Sequence, residues 1–342
     1  MDNIATHNST DPKVISEDEA ALYDRQIRLW GLEAQQRMRN ASILMVGFSA
    51  LSNEVCKNLV LAGIGSITIV DEKLVTPEDL GAQFYISEDC IGKNRVESAV
   101  EGLRNLNPRV KINVITANVK TLSDDFFTDF EIVVLTECDL STMKRINNLC
   151  RNVQTKFYTA DTYGFFGYIF CDLIKHDYIE DRKETVTSKT EEAEIKRVKK
   201  EEEFVSLETA LSKTWNNMTL RQIKKRVSPV IFGIQVLWQF QEKHQRLPKS
   251  NENDIKEILD IRNDLLPTIS VDISVLDDDF LKTLVLNAQA DLAPVCAIVG
   301  GILSQEILKV LSAKELPVNN FFLYNGLNGS GLVHRLDPTT TI

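Results

Sequence analysis

The chain has 342 residues, 43% apolar and 26% charged, with 39 Lys and Arg against 49 Asp and Glu, for a net charge of -10. This length predicts one large core, or one core with a smaller module. The acidic balance argues against broad binding to nucleic acid or to an anionic membrane, because neutralising phosphates needs a basic surface.

Residues 1–15 read as a flexible tail, polar and without the apolar stretch of a secretory signal. Ser16-Glu17-Asp18-Glu19 is a capping box that predicts a helix to about Leu29. Gly31 interrupts, and a second short helix is expected to about Arg39. Ser42 to Val46 is an apolar strand entering Gly47. Leu51 to Ala62 is helical, with Val55, Leu59 and Ala62 on one face, and Ser66 to Val70 is a strand closing on Asp71. This is one βαβ unit with an acidic residue at the end of its second strand.

The alternation continues with a helix at Val96 to Leu106 and strands at Val110 to Ile115 and Ile132 to Leu135. A helix from about Ser141 to Cys150 follows, then strands at Lys156 to Thr159 and Gly167 to Asp172. The fold class is therefore α/β, a doubly wound, mostly parallel sheet covered on both faces. Residues 177–203 are almost entirely charged or polar and read as a solvated insertion without a packed core. Helical patterns resume at Leu220 to Gln241, Asn253 to Leu265 and Asp277 to Leu286. Val295 to Leu311, led by Pro294 and containing Gly300-Gly301, reads as a core helix too short and interrupted to span a membrane. Asn320 to Tyr324 and Leu332 to Leu336 flank a Gly-rich turn and predict a hairpin. The expected division is the tail, a first domain part at 16–176, a charged and helical insertion at 177–255, and a last domain part at 256–342.

Six cysteines stand singly at 56, 90, 138, 150, 171 and 296. None forms a Cys-x-x-Cys pair, which argues against a zinc site and fits a reducing compartment, nucleus or cytoplasm. The basic clusters Lys196-Arg197-Val198-Lys199-Lys200 and Lys224-Lys225-Arg226 fit either import signals or solvated faces.

The loop Gly47-Phe48-Ser49-Ala50-Leu51-Ser52 keeps only the first glycine of a Gly-x-Gly-x-x-Gly phosphate loop. Ser49 stands where backbone should approach phosphate, and Ser52 where helix should pack on strand. Gly47 alone also suits an ordinary strand-to-helix turn. Asp71 stands where a ribose-binding carboxylate would be, and a strand-end cap is the equal alternative. Asp139 follows a strand at the carboxyl edge of the sheet, where a helix-capping acid is also expected. Arg25 and Arg28, three apart, share a helix face and suit either phosphate chemistry or surface ion pairs with Asp24 or Glu33.

Tyr23-Asp24-Arg25-Gln26-Ile27-Arg28-Leu29-Trp30-Gly31 and the residues to Gln35 resemble the N-terminal signature of the ubiquitin-activating superfamily, which includes MoeB- and ThiF-like adenylating enzymes. The resemblance continues through Val75–Phe84, Ile91–Arg95, Asn105–Pro108, Ala293–Gly301 and Asn319–Phe322. Together these segments are similar to the smaller, non-catalytic subunits of heterodimeric SUMO-activating enzymes, over nearly the whole chain except the tail and 177–255. The resemblance implies a Rossmann-like adenylation fold. In the family's active half an Asn-x-x-Arg-Gln-Phe stretch supplies an ATP-binding arginine; Ala82 stands there in this chain. The lysine of the following Gly-x-x-Lys element becomes Arg95, and Asp139 is followed by Leu140 rather than asparagine. No cysteine here is followed by threonine, as the thioester-forming cysteine is in the active half.

The resemblance therefore implies an obligate heterodimer in which a larger catalytic partner binds ATP and Mg2+, with none bound here. It assigns Arg25 as an arginine finger reaching the partner's ATP, with Arg28 a further candidate. SUMO, and a downstream conjugating enzyme engaged through the partner, complete the expected assembly in nucleus and cytoplasm. Rival readings are a dinucleotide enzyme, which Ser49 would crowd, a non-enzymatic scaffold, and the equivalent subunit for another modifier such as NEDD8.

Overall fold

The computed structural model describes residues 14–183 and 195–340. All but the last two residues of the expected tail lie outside them. Helices α1 (Glu17–Leu22), α2 (Asp24–Trp30) and α3 (Leu32–Asn40) lead the fold. The capping box forms: the Ser16 hydroxyl accepts from the Glu19 N–H at 3.2 Å and the Glu19 carboxylate accepts from the Ser16 N–H at 3.2 Å. The single helix expected to Leu29 is broken at Tyr23, a buried residue that ends α1 and opens α2. Gly31, at φ +89°, separates α2 from α3.

Strand β1 (Ser42–Val46), helix α4 (Ala50–Ala62), β2 (Ser66–Val70), α5 (Arg95–Leu106), β3 (Lys111–Ile115), β4 (Ile132–Leu135), α6 (Leu140–Asn152), β5 (Lys156–Tyr163) and β6 (Phe166–Asp172) follow in sequence. Next come β7 (Lys175–Lys183) and β8 (Ile195–Glu203), then α7 (Leu207–Leu211), α8 (Leu220–Arg226), α9 (Val230–His244), α10 (Glu252–Thr268), α11 (Asp278–Asn287) and α12 (Ala293–Ser312). Strands β9 (Phe321–Asn325) and β10 (Ser330–His334) close the fold.

The main sheet runs β10-β9-β6-β5-β4-β1-β2-β3, with β3, β2, β1, β4 and β5 parallel and the β6, β9, β10 edge antiparallel. The chain leaves β1 toward β2 and β3, then returns to lay β4 on the other side of β1. The carboxyl ends of β1 and β4 therefore form a topological switch point, where doubly wound sheets bind ligands. The central strands are buried on both faces, which explains their continuous apolar runs. Ile43, Met45, Ile67 and Ile69 pack with Val55 and Leu59 of α4 and with Leu303 and Ile307 of α12. Leu44, Val46, Val133 and Leu135 face Met143 and Ile146 of α6 and Trp238 of α9.

Three further expectations change. The helix expected over 220–241 divides at Ser228-Pro229, because proline lacks the N–H that would continue α8. Helix α12 has 20 residues, and its most apolar 18-residue stretch has a mean hydropathy of 1.6, enough by length and composition to cross a membrane, yet 67% of that stretch is buried inside the fold. The charged insertion contains an antiparallel hairpin, β7 with β8. Opposite charges meet diagonally across it: Lys175 with Glu201 at 2.9 Å, Asp177 with Lys199 at 2.7 Å, and Glu180 with Lys200 at 2.5 Å. His176 and Tyr178 are buried between exposed Lys175, Asp177 and Ile179, a period-two pattern hidden in a charge-rich run.

Candidate functional site

A cavity of about 740 Å³ opens at the switch point, lined by Gly47, Asp71, Lys73, Arg95, Thr136, Glu137, Asp161 and Asp291 among others. Gly47 holds φ +82°, and a Cβ there would come within 2.6 Å of the Thr136 carbonyl oxygen. Close approach of β1 to β4 therefore requires this glycine. Ser52, on the first turns of α4, shares a hydrogen bond of 2.8 Å with the Thr136 hydroxyl, which in turn donates to the Val46 carbonyl at 2.9 Å. The third glycine position thus serves to pin helix to strand. Ser49 opens α4, and its buried hydroxyl has no hydrogen-bond partner among the described residues.

The loop's backbone donors point at the chain's own carboxylates. The Phe48 N–H donates to Asp71 Oδ2 at 3.1 Å, and the Ala50 N–H, at the start of α4, donates to Asp291 Oδ2 at 3.2 Å. A helix N-terminus attracts anions because its first N–H groups lack helical partners and carry the positive end of the dipole. Asp291, from the segment leading into α12, fills that role here.

Asp71 is also taken. Its Oδ1 accepts from the Lys73 N–H at 3.0 Å, and its Oδ2 accepts from Arg95 Nε at 2.9 Å and pairs with Nη2 at 2.7 Å. Arg95 is the first residue of α5, placed by Asn94, whose side chain caps the helix and donates to the Asp71 carbonyl at 2.8 Å. The Arg95 guanidinium also pairs with Glu137 and reaches Asp79 at 3.4 Å. Lys73 reaches Glu137 at 2.9 Å. Burial raises the Asp71 carboxyl above the usual range, with Arg95 opposing. Burial also acts to raise Glu137, but Arg95 and Lys73 outweigh it and hold the carboxyl down at about 2.

Asp161 and Asp291 lie beside this cluster. Asp161 accepts from the Glu137 N–H at 3.2 Å and from its own neighbour's N–H, that of Thr162, at 2.9 Å. Burial and the Glu137 charge push Asp161 up to about 8 and Asp291 up to about 6. The cavity wall carries eight carboxylates against five cationic side chains. A nucleoside triphosphate placed here would compete with Asp291 for the Ala50 N–H and with Arg95 for Asp71, and its phosphates would face a mostly acidic wall. Among the described residues no group of three or more His, Cys, Asp or Glu could hold a metal ion.

The other sequence-assigned residues fall elsewhere. Asp139 caps α6, accepting from the Thr142 N–H at 2.8 Å, and pairs with Lys120 at 2.5 Å. Burial acts to raise its carboxyl, yet the bonds from Lys120 and Ser141 hold it well below the usual range. Ala82 follows the short turn Asp79–Gly81 and is not part of the cavity wall. Arg28 pairs with Asp24 on an exposed face, Nε to Oδ2 at 2.9 Å.

Arg25 is exposed, and among the described residues its guanidinium forms no hydrogen bond or ion pair. It lies two residues past Tyr23, which contacts Gly63 and Asn107. Those residues end α4 and α5 just before β2 and β3 begin, at the amino edge of the sheet. The strands between that edge and the cavity are five residues long, roughly 16 Å at the usual rise. The sequence-assigned residues thus divide between two ends of the molecule.

Sequence reasoning missed Glu137, Asp161 and Asp291. Glu137 carries a readable signal, since it stands two residues past the end of β4 at the same sheet edge where Asp71 directly follows β2. Asp291 carries none, because nothing local places residue 291 against residue 50.

The chain matches the ThiF family over residues 23–341. It is similar to SUMO-activating enzyme subunit 1 of Bos taurus, 40% identical over 339 residues, covering 95% of this chain and 97% of that protein. The Homo sapiens protein of the same name is 40% identical over 339 residues with the same coverage, and that of Danio rerio 39% over 336 residues, covering 94% and 95%.

Proposed function

The chain belongs to the ThiF family, alongside the SUMO-activating enzyme subunit 1 proteins, and from that premise we propose that it is the non-catalytic half of a SUMO-activating heterodimer. Its larger partner binds ATP and carries out adenylation of the SUMO C-terminus. This chain completes the partner's site with Arg25 and binds no nucleotide itself. The observation that carries the reading is the split between the two ends: the remnant nucleotide site is filled by Asp71, Arg95, Glu137 and Asp291, while Arg25 stands exposed at the far edge.

Adenylation makes a bond from the modifier's carboxylate to the α-phosphorus of ATP and breaks the bond to pyrophosphate. Negative charge grows on that leaving group. A guanidinium is planar and permanently charged, so one supplied from outside the partner's own chain stabilises this charge without a protonation step. Arginines supplied in this way are worth roughly 10³–10⁵ in rate in related phosphate chemistry. Reconstitution tests the reading. The chain alone is expected to give no calorimetric Mg-ATP binding and no ATP–pyrophosphate exchange, and exchange should appear on adding the larger subunit and SUMO. Micromolar Mg-ATP binding by the chain alone, or exchange without the partner, would contradict it.

A further inference from the structure

Arg25 is held from a distance. Tyr23 is 5% exposed and lies at the break between α1 and α2. Its ring fills a notch that exists because residue 63 is glycine: a Cβ on Gly63 would fall 2.5 Å from the tyrosine's Cζ and hydroxyl oxygen. The hydroxyl accepts from Asn107 Nδ2 at 2.7 Å. Asn107 Nδ2 also donates to the Val60 carbonyl at 2.9 Å, so the anchor reaches α4 and α5 together. The other end of α2 is tied to the same spot. Trp30 Nε1 donates to Gln35 Oε1 at 3.2 Å, and the fully buried Gln35 donates through Nε2 to the Ala62 carbonyl at 3.0 Å. Both ends of the seven-residue helix bearing Arg25 therefore converge on residues 62 and 63.

We propose that Tyr23 is a positioning residue for Arg25, its ring in the Gly63 notch and its hydroxyl on Asn107 setting where α2 presents the guanidinium to the partner's reaction centre. The proposal rests on the reading of Arg25 as the arginine supplied to the partner. A finger that stabilises charge only in the transition state must be placed before the reaction, so a shift of the helix lowers kcat and leaves ground-state binding of ATP nearly unchanged. Tyr23→Phe is mild, because Asn107 keeps its Val60 partner.

The test is a double-mutant cycle in the assembled heterodimer, read by ATP–pyrophosphate exchange. Tyr23→Ala is expected to lower kcat about tenfold, within the range that small misplacements cost, and Tyr23→Phe about threefold, with KM for ATP changed less than about twofold. In an Arg25→Ala background both losses should shrink to under about twofold, since the arginine they position is gone. The same fold loss in both backgrounds would make Tyr23 merely structural and overturn the proposal. Unchanged kcat in the Tyr23→Ala heterodimer would also overturn it. Should Tyr23→Ala fail to assemble, Tyr23→Phe carries the cycle alone. Wild-type exchange by the Arg25→Ala heterodimer would overturn the finger reading itself, and the positioning proposal with it.

Discussion

The two edges of the sheet treat their arginines in opposite ways. At the carboxyl edge Arg95, with 5% of its side chain exposed, is clamped among Asp71, Asp79 and Glu137. At the amino edge Arg25 projects from a short, firmly anchored helix and has no side-chain partner among the described residues. A cation surrounded by its own chain's carboxylates serves folding, because its field is consumed locally. A cation left exposed on a rigid mount is available to a second molecule. The same residue type in one chain thus stands in two opposite surroundings, one closed by the chain's own carboxylates and one open to solvent.

The largest effect on stability should follow from breaking the clamped side. Arg95→Met leaves buried Asp71 and the neighbouring Glu137 facing each other without their guanidinium. Removing one partner of a buried ion cluster costs about 3–5 kcal/mol, readable as a lower urea midpoint for the isolated chain. Arg25→Ala in the same measurement should leave the midpoint unchanged, since an exposed, unpaired side chain contributes little. Equal losses for the two would erase the distinction between the edges.

The parallel sheet was readable because its strands are short apolar runs between amphipathic helices, and Ile43 to Val46 or Ile132 to Leu135 allow few other readings. The pairing of β7 with β8 was not, because their buried positions among the described residues are few and their charges pair across strands rather than along one. The candidate site was half legible. Ser49 and Ser52 showed that the phosphate loop had changed, but not that Asp291 accepts from the Ala50 N–H at the start of α4, since that contact spans 241 residues. Arg25 was visible only through its motif, and its free guanidinium is a fact of three dimensions.

The pH response sharpens the carboxyl edge further. Asp161 is pushed up to about 8, against about 3.9 in an unfolded chain. The folded state therefore binds more protons than the unfolded state between those values, and stability from this group falls as pH rises through that window. Asp291, at about 6, acts in the same direction. Thermal melting of the isolated chain should show a midpoint that declines from pH 5 to pH 8, and Asp161→Asn should flatten that decline. A variant whose slope matches wild type would mean that Asp161 is ionised in the folded chain. Glu137 acts oppositely and lower, its contribution being lost as pH falls from about 4 toward 2.

The smallest effect belongs to Arg28, which shares the helix of Arg25 but pairs with Asp24 in solvent. Arg28→Ala should shift the melting midpoint by less than about 1 °C, since exposed pairs are worth little. It should also leave exchange by the heterodimer within about twofold. A loss comparable to that of Arg25→Ala would move the functional boundary to the whole face of α2.

The division of labour between the two edges is tested most directly by ATP–pyrophosphate exchange with heterodimers carrying Arg25→Ala or Asp291→Asn, at saturating ATP and SUMO. The account predicts a loss of about 10² or more for Arg25→Ala, only partly restored by Arg25→Lys, because lysine lacks the bidentate fork. It predicts a rate within about twofold of wild type for Asp291→Asn, because on the proposed reading the partner's site, and not this cavity, holds the reacting ATP. Wild-type exchange by Arg25→Ala, or a comparable loss in Asp291→Asn, would contradict it.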